Sequence, residues 1–324
     1  MSQLGPGARA FLRAFPRSRK AELHLHLEGA VFPSTLVSLS RARPDPLFPD
    51  LPSVRARLRF DGSQGFLLLY RDVCRLLASP SDYALLARDL VRRLYRERTA
   101  YAEVYVSPAI AARLGFAWHA VVDAIEPVFA HHERLGHGRI RVLLDTVRQW
   151  GPEAAERVLE AHRATPWSRV VGFGLGGDEA SLPARAFAKV FARARAMGLG
   201  TVVHAGEWRG AESVAESLSQ LKPDRIAHGI RAIEDASLVK RLAARGIPLD
   251  VCLASNGATG VIAEGVRHPV LELLRRGVRI TLSTDDPGLF ATSLRGEYGR
   301  LARLGATAIE LSQVAATSRD ARFG

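Results

Sequence analysis

Two histidines, His24 and His26, lie two residues apart near the start of the chain, shortly before Glu28 and Gly29. In a β-strand, residues i and i+2 point to the same face, so this spacing would place two imidazoles side by side. Such a pair resembles half of a metal site. The pair alone is weak evidence, because a metal site needs further ligands.

Three later segments offer the groups that the histidine pair lacks. They contain His204 with Glu207, then His228, then the adjacent residues Asp285 and Asp286. Three histidines and a carboxylate suit Zn²⁺, although the same donors also bind iron or cobalt. A zinc site with an open position lowers the pKa of its water to about 7, which favours hydrolysis at neutral pH. Glu207 and His228 are then candidates for general acid and base, and of the two aspartates one can bind metal and the other substrate.

These residues are far apart in sequence, so the fold must bring them together. Short runs rich in Val and Ile alternate with amphipathic helical stretches, which is typical of βα units with a parallel sheet. Eight candidate strands favour a closed (β/α)8 TIM barrel over an open sheet. The predicted strands are 22–27, 101–106, 140–146, 170–175, 200–204, 225–228, 247–252 and 279–283.

Each candidate residue falls at the C-terminal end of a predicted strand. His24 and His26 close the first strand, His204 the fifth and His228 the sixth, and Asp285 follows the eighth. In a (β/α)8 barrel these ends face one mouth, where active sites are built. The barrel therefore predicts that the residues converge. Glycines at positions 172, 174, 176 and 177 would let the backbone approach a ligand closely.

The segment between the first two strands, about residues 30–100, is unusually long. It begins with a proline-rich stretch and continues with helical patterns over 65–77 and 81–98. An insertion after a barrel strand lies at the mouth, so we expect a helical lid over a pocket. The alternative is an extra packing layer with no role in the site. Without a visible linker or repeat, residues 1–324 are expected to form a single domain.

The composition is that of an ordinary globular protein, with 324 residues, 47% of them hydrophobic and 24% charged. No apolar run approaches the roughly 20 residues that span a bilayer, and no secretory signal is evident. The two cysteines, Cys74 and Cys252, form no motif and are expected to be buried or inert. We therefore expect a cytoplasmic protein with no membrane partner.

The net charge is +12, almost entirely from arginine. These arginines are spread along the chain, so no nucleic-acid partner is predicted. The remaining histidines lie outside any motif and are expected on the surface; they are His119, His131, His132, His137, His162 and His268.

Taken together, the motifs resemble those of the adenosine deaminase family, within the amidohydrolase superfamily. The matching segments are LHLHLEG (23–29), GGDE (176–179), HAGE (204–207), HG (228–229) and TDDP (284–287). They occur in the family's order and extend over nearly the whole chain. The resemblance implies a hydrolytic deaminase that replaces the amino group at C6 of an adenine ring in a small purine nucleoside.

The resemblance also implies a role for each matching residue. Glu207 would protonate the purine N1, and His228 would orient and deprotonate the attacking water. Asp286 would hydrogen-bond N7, and the backbone N–H of Gly177 would meet N3. One Zn²⁺ would be bound by His24, His26, His204 and Asp285.

Two residues bear on the identity of the nucleoside. Position 28 is Glu, where animal-type adenosine deaminases have an Asp that contacts the ribose 5′-hydroxyl. The segments 101–107, 144–152 and 173–179 look similar to bacterial aminodeoxyfutalosine deaminases, whose substrate carries a carboxylated aryl group at the 5′ side. Arg148 could meet that carboxylate. The expected substrate is therefore 6-amino-6-deoxyfutalosine, in menaquinone biosynthesis, with adenosine as the alternative, followed by adenine or an N6-modified adenine.

Two other classes of protein are less consistent with the sequence. Binuclear amidohydrolases often use a bridging lysine, but no lysine of this chain lies at the end of the fourth predicted strand. A barrel that only binds its ligand would be expected to have lost a metal ligand or Glu207, and all of them are present.

Overall fold

The computed structural model describes residues 4–263 and 265–324. Eight parallel strands hydrogen-bond in chain order, and each predicted strand is confirmed to within two residues at either end. The strands are β1 Lys20–His26, β2 Thr99–Val106, β3 Arg139–Val147, β4 Val170–Gly176, β5 Gly200–Ala205, β6 Arg225–His228, β7 Leu249–Val251 and β8 Ile280–Leu282.

The sheet closes into a barrel where the chain after β8 meets β1. The backbone N–H of Asp285 donates to the His24 carbonyl at 3.0 Å, and the Asp285 carbonyl accepts from the N–H of His26, also at 3.0 Å. The predicted (β/α)8 architecture is therefore confirmed. Because the closing residue lies between the two histidines, closure of the barrel also positions three candidate ligands.

Helices surround the barrel and cover the outward faces of the strands. The α-helices are α1 Pro6–Ala14, α2 Pro33–Arg41, α3 Leu51–Arg57, α4 Gly62–Cys74, α5 Asp82–Glu97, α6 Pro108–Arg113, α7 Trp118–Arg134, α8 Gly151–Ala164, α9 Ala188–Ala196, α10 Ala211–Gln220, α11 Ala236–Arg245, α12 Leu253–Ala258, α13 Val270–Arg275, α14 Leu294–Arg303 and α15 Ala308–Asp320. Short 3-10 turns occupy Phe15–Arg17, Glu28–Ala30, Arg148–Trp150, Ala184–Phe187 and Ile230–Glu234. Among the described residues, no helix has the length and apolar character needed to cross a membrane.

The long insertion between β1 and β2 is helical, as predicted, and contains α2 to α5. Helix α4 contributes Phe66 and Tyr70 to the wall of the large cavity at the barrel mouth. The insertion is therefore part of that cavity, and the alternative of a packing layer remote from the site is wrong.

The inner face of β4 consists of glycines for a reason that differs from the expected one. A Cβ at Gly172 would overlap the side chain of Leu143, and one at Gly174 would overlap the ring of Tyr105. Leu143 and Tyr105 form a fully buried cluster with Val202 and Ala227 inside the barrel. The first two glycines thus make room for core side chains, and the expectation that they approach a ligand is wrong.

The end of the barrel opposite the mouth contains a buried ion cluster. Arg225 contacts Asp250 through Nε at 2.9 Å and Glu103 through Nη2 at 2.5 Å, and all three side chains are buried. Its Nη1 donates to the Ala321 carbonyl at 2.7 Å, and its guanidinium lies 3.9 Å from the centroid of the Phe323 ring. The cluster joins three strands to the segment after α15.

Replacing Arg225 with methionine should strongly destabilise the protein. The substitution leaves two buried carboxylates without a cation, which typically costs about 3–5 kcal/mol. Urea unfolding would measure the loss. The matched control is Arg275→Met, which removes an exposed pair with Glu310 and should cost about 0–1 kcal/mol. Equal losses of unfolding free energy in the two variants would contradict the prediction. Adding Asp250→Asn to the Arg225→Met variant should recover part of the loss, and no recovery would also contradict the prediction.

Candidate active site

Four histidines and a carboxylate converge at the mouth of the barrel. Ring nitrogens of His24, His204 and His228 lie within 4.8 Å of one another. The Nε2 atoms of His24 and His26 lie 3.3 Å and 3.4 Å from Oδ1 of Asp285. All five side chains are buried. The convergence predicted from the strand ends is therefore observed.

Irregular backbone sets the direction of these side chains. Between Glu22 and Leu25, β1 contains one residue more than the paired stretch of β2, which is a β-bulge. At this bulge the N–H groups of Leu23 and His24 both donate to the Ser283 hydroxyl, each at 3.1 Å. The bulge is thus fixed by a side chain that follows β8, next to the seam of the barrel.

Two residues of the cluster have a backbone conformation that residues other than glycine rarely adopt. His228 and Asp285 both have φ of 62°. Such left-handed geometry at a non-glycine residue costs on the order of 1–3 kcal/mol and is concentrated at functional sites. Here the strained backbone directs the His228 imidazole and the Asp285 carboxylate towards the same small volume.

The donor set fits a divalent cation. Neither ring nitrogen of His24 has a hydrogen-bond partner in the part of the chain that the structure describes. The Nδ1 of His204 lies 3.0 Å from the Leu175 carbonyl, which leaves Nε2 free to bind. Burial lowers the pKa of His204 to about 4 and that of His24 and His26 well below normal, so the rings are neutral, as ligation requires. Burial opposes ionisation of Asp285, but the neighbouring histidines outweigh it and hold its pKa below the usual value.

Glu207 is placed to supply a proton. Its Oε2 lies 3.4 Å from Nε2 of His228, and its side chain lines the cavity. Burial, then Asp285 and Glu179, raise the pKa of Glu207 well above its usual value. A carboxyl group that stays protonated at neutral pH can act as a general acid.

Glu179 holds the loop that carries Glu207. Its two carboxylate oxygens accept hydrogen bonds from the backbone N–H groups of four consecutive residues, Gly206 to Arg209, and from the Ser213 hydroxyl. Glu179 belongs to the matching segment GGDE, but no role was predicted for it from the sequence. The structure indicates that it positions Glu207.

Replacing Glu179 with glutamine should lower kcat by about 10- to 100-fold, because an amide nitrogen cannot accept these bonds and small displacements of a catalytic group cost up to about 10²-fold. The metal content should stay unchanged, since Glu179 touches no ligand side chain. Steady-state rates and metal analysis of the purified variant would check both statements. Glu272→Gln, an exposed change on α13, is the control; a similar loss there, or none at Glu179, would contradict the positioning role.

A chain of hydrogen bonds supports His228 from behind, and it was not predicted from the sequence. Val270 N–H donates to Nδ1 of His268 at 3.1 Å, so the proton of this neutral ring is on Nε2. That Nε2 lies 3.2 Å from Oδ1 of Asn256, whose Nδ2 lies 3.2 Å from Nδ1 of His228. His228 therefore accepts at Nδ1 and carries its proton on Nε2, facing Glu207. This tautomer supports an orienting role, and uptake of a further proton at Nε2 would first require that proton to move.

Two histidines that were expected on the surface are buried. His268 is buried where it supports the His228 chain, and His132 is buried on α7, with its ring 5.4 Å from that of His137. That expectation is wrong for both. Asn256 could have been found, because it follows the end of β7, where the rule of strand ends applies. The two cysteines are buried, as expected.

A cavity of about 520 Å³ extends from the cluster to the mouth of the barrel. The predicted site residues that line it are His26, Gly177, His204, Glu207, His228, Asp285 and Asp286. Gly29 allows Asp286 to approach, because a Cβ at position 29 would overlap the Asp286 carboxyl. The cavity thus combines the candidate metal ligands, acid and substrate-binding groups predicted from the motifs.

Two predicted substrate-binding residues do not reach the cavity. Glu28 is buried behind Tyr70, whose hydroxyl donates to it at 3.1 Å, and burial raises its pKa to about 7. Arg148 is buried in the 3-10 turn after β3 and donates to the carbonyls of His204 and Leu182, at 2.7 Å and 3.2 Å. Both turns rotate these side chains away from the mouth. Arg148 therefore supports the end of β5, and the structure does not place it where it was predicted to contact a substrate carboxylate.

Other arginines line the cavity near its opening. Arg113 lies with its guanidinium 4.0 Å from the centroid of Trp150. Arg71 and Arg75 follow on α4 and at its C-terminal end, and Arg71 pairs with Asp72 at 3.0 Å. Arg75 and Arg113 form no ion pair with any described residue. The mouth thus offers an aromatic ring and cations without a protein counter-ion.

Residues 19–323 match the family model described as adenosine deaminase. Over 307 residues the chain is 37% identical to an adenine deaminase of Chelativorans sp. (strain BNC1), covering 94% of this chain and 93% of that protein. It is 36% identical over 307 residues to an aminodeoxyfutalosine deaminase of Streptomyces avermitilis, covering 94% and 85%.

Solved structures with the same fold include a crystal structure of an adenine deaminase from Arthrobacter aurescens. It is 29% identical, with a TM-score of 0.89 and 94% of both chains covered. An amidohydrolase from Burkholderia ambifaria, solved with bound Zn, is 25% identical, with a TM-score of 0.89 and coverage of 99% of this chain and 89% of that chain.

Proposed function

The chain belongs to the adenosine deaminase family and is a hydrolase that acts on C–N bonds, and we propose that it deaminates 6-amino-6-deoxyfutalosine. The reaction replaces the 6-amino group of the adenine ring by an oxo group and releases ammonia. The residues of the cavity support a distinct role at each step.

The proposed cofactor is one Zn²⁺, held by His24, His26, His204 and Asp285. When bound, the ion would lower the pKa of water, which makes a nucleophile available at neutral pH. The raised pKa of Glu207 suits a group that gives a proton to the purine N1 as the ring is attacked. His228, with its proton on Nε2, orients the attacking water. Asp286 and the Gly177 N–H line the cavity where they can meet N7 and N3.

One observation supports the substrate with an acidic aryl group at its 5′ side. The cavity continues from the metal cluster to Trp150, Arg113 and Arg75 at the mouth. An aryl ring can pack against Trp150, and a carboxylate can pair with Arg75 and Arg113, which form no ion pair with a described residue. We assign to these residues the contact with the substrate carboxylate that was predicted for Arg148.

A second candidate substrate is adenine, since relatives of comparable identity are named adenine deaminases. Values of kcat/KM for adenine, adenosine and 6-amino-6-deoxyfutalosine would separate the candidates. We expect the largest value for 6-amino-6-deoxyfutalosine. Arg113→Gln should lower that value about tenfold, as expected for loss of one charge-assisted hydrogen bond, and leave adenosine unchanged. A larger kcat/KM for adenosine or adenine would overturn the proposed substrate.

A further inference from the structure

Asp145, near the C-terminal end of β3, has no role in the mechanism above. Its side chain lines the cavity and is only 6% exposed. Its Oδ1 atom is buried and has no hydrogen-bond partner among the described residues. Leaving a buried acceptor without a partner costs about 1–3 kcal/mol, so a ligand that supplies a donor would bind there favourably.

The position of Asp145 indicates which part of a ligand it meets. Along the inner face of β3, Leu143 lies in the barrel interior, and Val147 lines the cavity above Asp145. Gln149 and Trp150 follow at the mouth. Asp145 is therefore situated between the metal cluster and the mouth. A nucleoside with its base at the metal and its 5′ group at the mouth must place its sugar at this level.

The neighbouring glycines leave space for that sugar. A Cβ at Gly176 would lie 3.4 Å from Oδ1 of Asp145 and 3.4 Å from Cε1 of His204, so the missing side chain opens the gap between them. Gly177, proposed to meet the purine N3, is the next residue. In a purine nucleoside, N3 and the sugar-bearing N9 are both bonded to C4, so a base held by Gly177 at N3 directs its sugar hydroxyls towards Asp145.

We propose that the Asp145 carboxyl accepts a hydrogen bond from a ribose hydroxyl and thereby selects nucleosides over free adenine. This inference rests on the proposed function, since it assumes a purine bound through Gly177. Burial, followed by the charge of Glu28, raises the pKa of Asp145 well above its usual value. A carboxyl oxygen accepts from a hydroxyl whether or not the group is protonated, so the contact does not depend on ionisation.

Free adenine provides the competing interpretation. It lacks the sugar but has an N9–H that could donate to the same oxygen. In that case Asp145 would select the base over the nucleoside. The two interpretations predict opposite effects of the same substitution.

The test measures kcat/KM of the zinc-loaded enzyme and its Asp145→Ala variant on adenosine, 2′-deoxyadenosine, 3′-deoxyadenosine and adenine. We expect a loss of about 10- to 100-fold on adenosine, as for one buried hydrogen bond, and less than about threefold on adenine and on the deoxy analogue that lacks the bonded hydroxyl. Asp145→Asn keeps an acceptor oxygen and should restore most of the adenosine activity. Asp123→Ala, exposed on α7, serves as the control.

The other possible outcomes would overturn either the role of Asp145 or the proposed substrate. Equal losses on all four substrates, or a larger loss on adenine, would overturn the role of Asp145. A wild-type enzyme that prefers adenine to adenosine would overturn it as well. A wild-type enzyme that prefers adenosine to 6-amino-6-deoxyfutalosine, while the Asp145→Ala losses are confined to substrates with the bonded hydroxyl, would overturn only the proposed substrate.

Discussion

Replacing His24 with alanine should abolish metal binding and lower kcat/KM by well over 100-fold. Removing a group that only supports a metal ligand typically costs 10- to 100-fold, and loss of a ligand itself costs more. His24 is fully buried, and its ring centroid lies 4.7 Å from that of His204 and 5.2 Å from that of His26.

Metal analysis and steady-state kinetics of the same preparation would test this result. Because the variant could simply unfold, its circular dichroism should be compared with that of chelator-treated wild type, which should lose activity and regain it with added zinc. His119→Ala, on the exposed surface of α7, is the matched control. One equivalent of zinc in the His24→Ala variant, with normal activity, would show that the ligand assignment is wrong.

Replacing Glu207 with glutamine should lower kcat by about 10²- to 10⁴-fold while the metal content is unchanged. Glutamine has nearly the same shape, so the loop held by Glu179 should persist. The amide cannot give up a proton at neutral pH, whereas a carboxyl group can, and burial raises the pKa of the native Glu207 carboxyl.

Ammonia release would measure the rate, and bound metal would be measured in parallel. Glu212→Gln, an exposed change on α10, is the control for an added amide nearby. Full activity of the Glu207→Gln variant would exclude Glu207 as the acid, and loss of the metal would point to a role in ligation.

The rule of strand ends accounts for most of what the sequence predicted correctly. It located His204, His228 and Asp285 because parallel strands of a barrel all end at one mouth. The same rule applied to the third strand would have found Asp145. The predicted residues that do not line the cavity, Glu28 and Arg148, lie in 3-10 turns just beyond strand ends. There the alternation of the strand stops, so spacing no longer indicates where a side chain points.

The hydrogen bonds that support His228 could not be predicted from the local sequence pattern. His268 and Asn256 belong to different elements, and their hydrogen bonds depend on how the segments after β7 pack. Similarly, the role of Glu179 depends on the loop after β5 folding over it. Such contacts between distant segments are fixed by tertiary packing and leave no periodic signal in the sequence.

Asp285 belongs to two systems at once. Its carboxylate is a proposed ligand, and its backbone N–H and carbonyl form the hydrogen bonds that join β8 to β1. The left-handed backbone of Asp285 is strained, so favourable interactions elsewhere in the site must compensate for the cost of that conformation. The free energy of metal binding at this site would therefore also contribute to the free energy of folding, by thermodynamic linkage. The concentration of free metal would then set how firmly the barrel is closed as well as how many molecules are active.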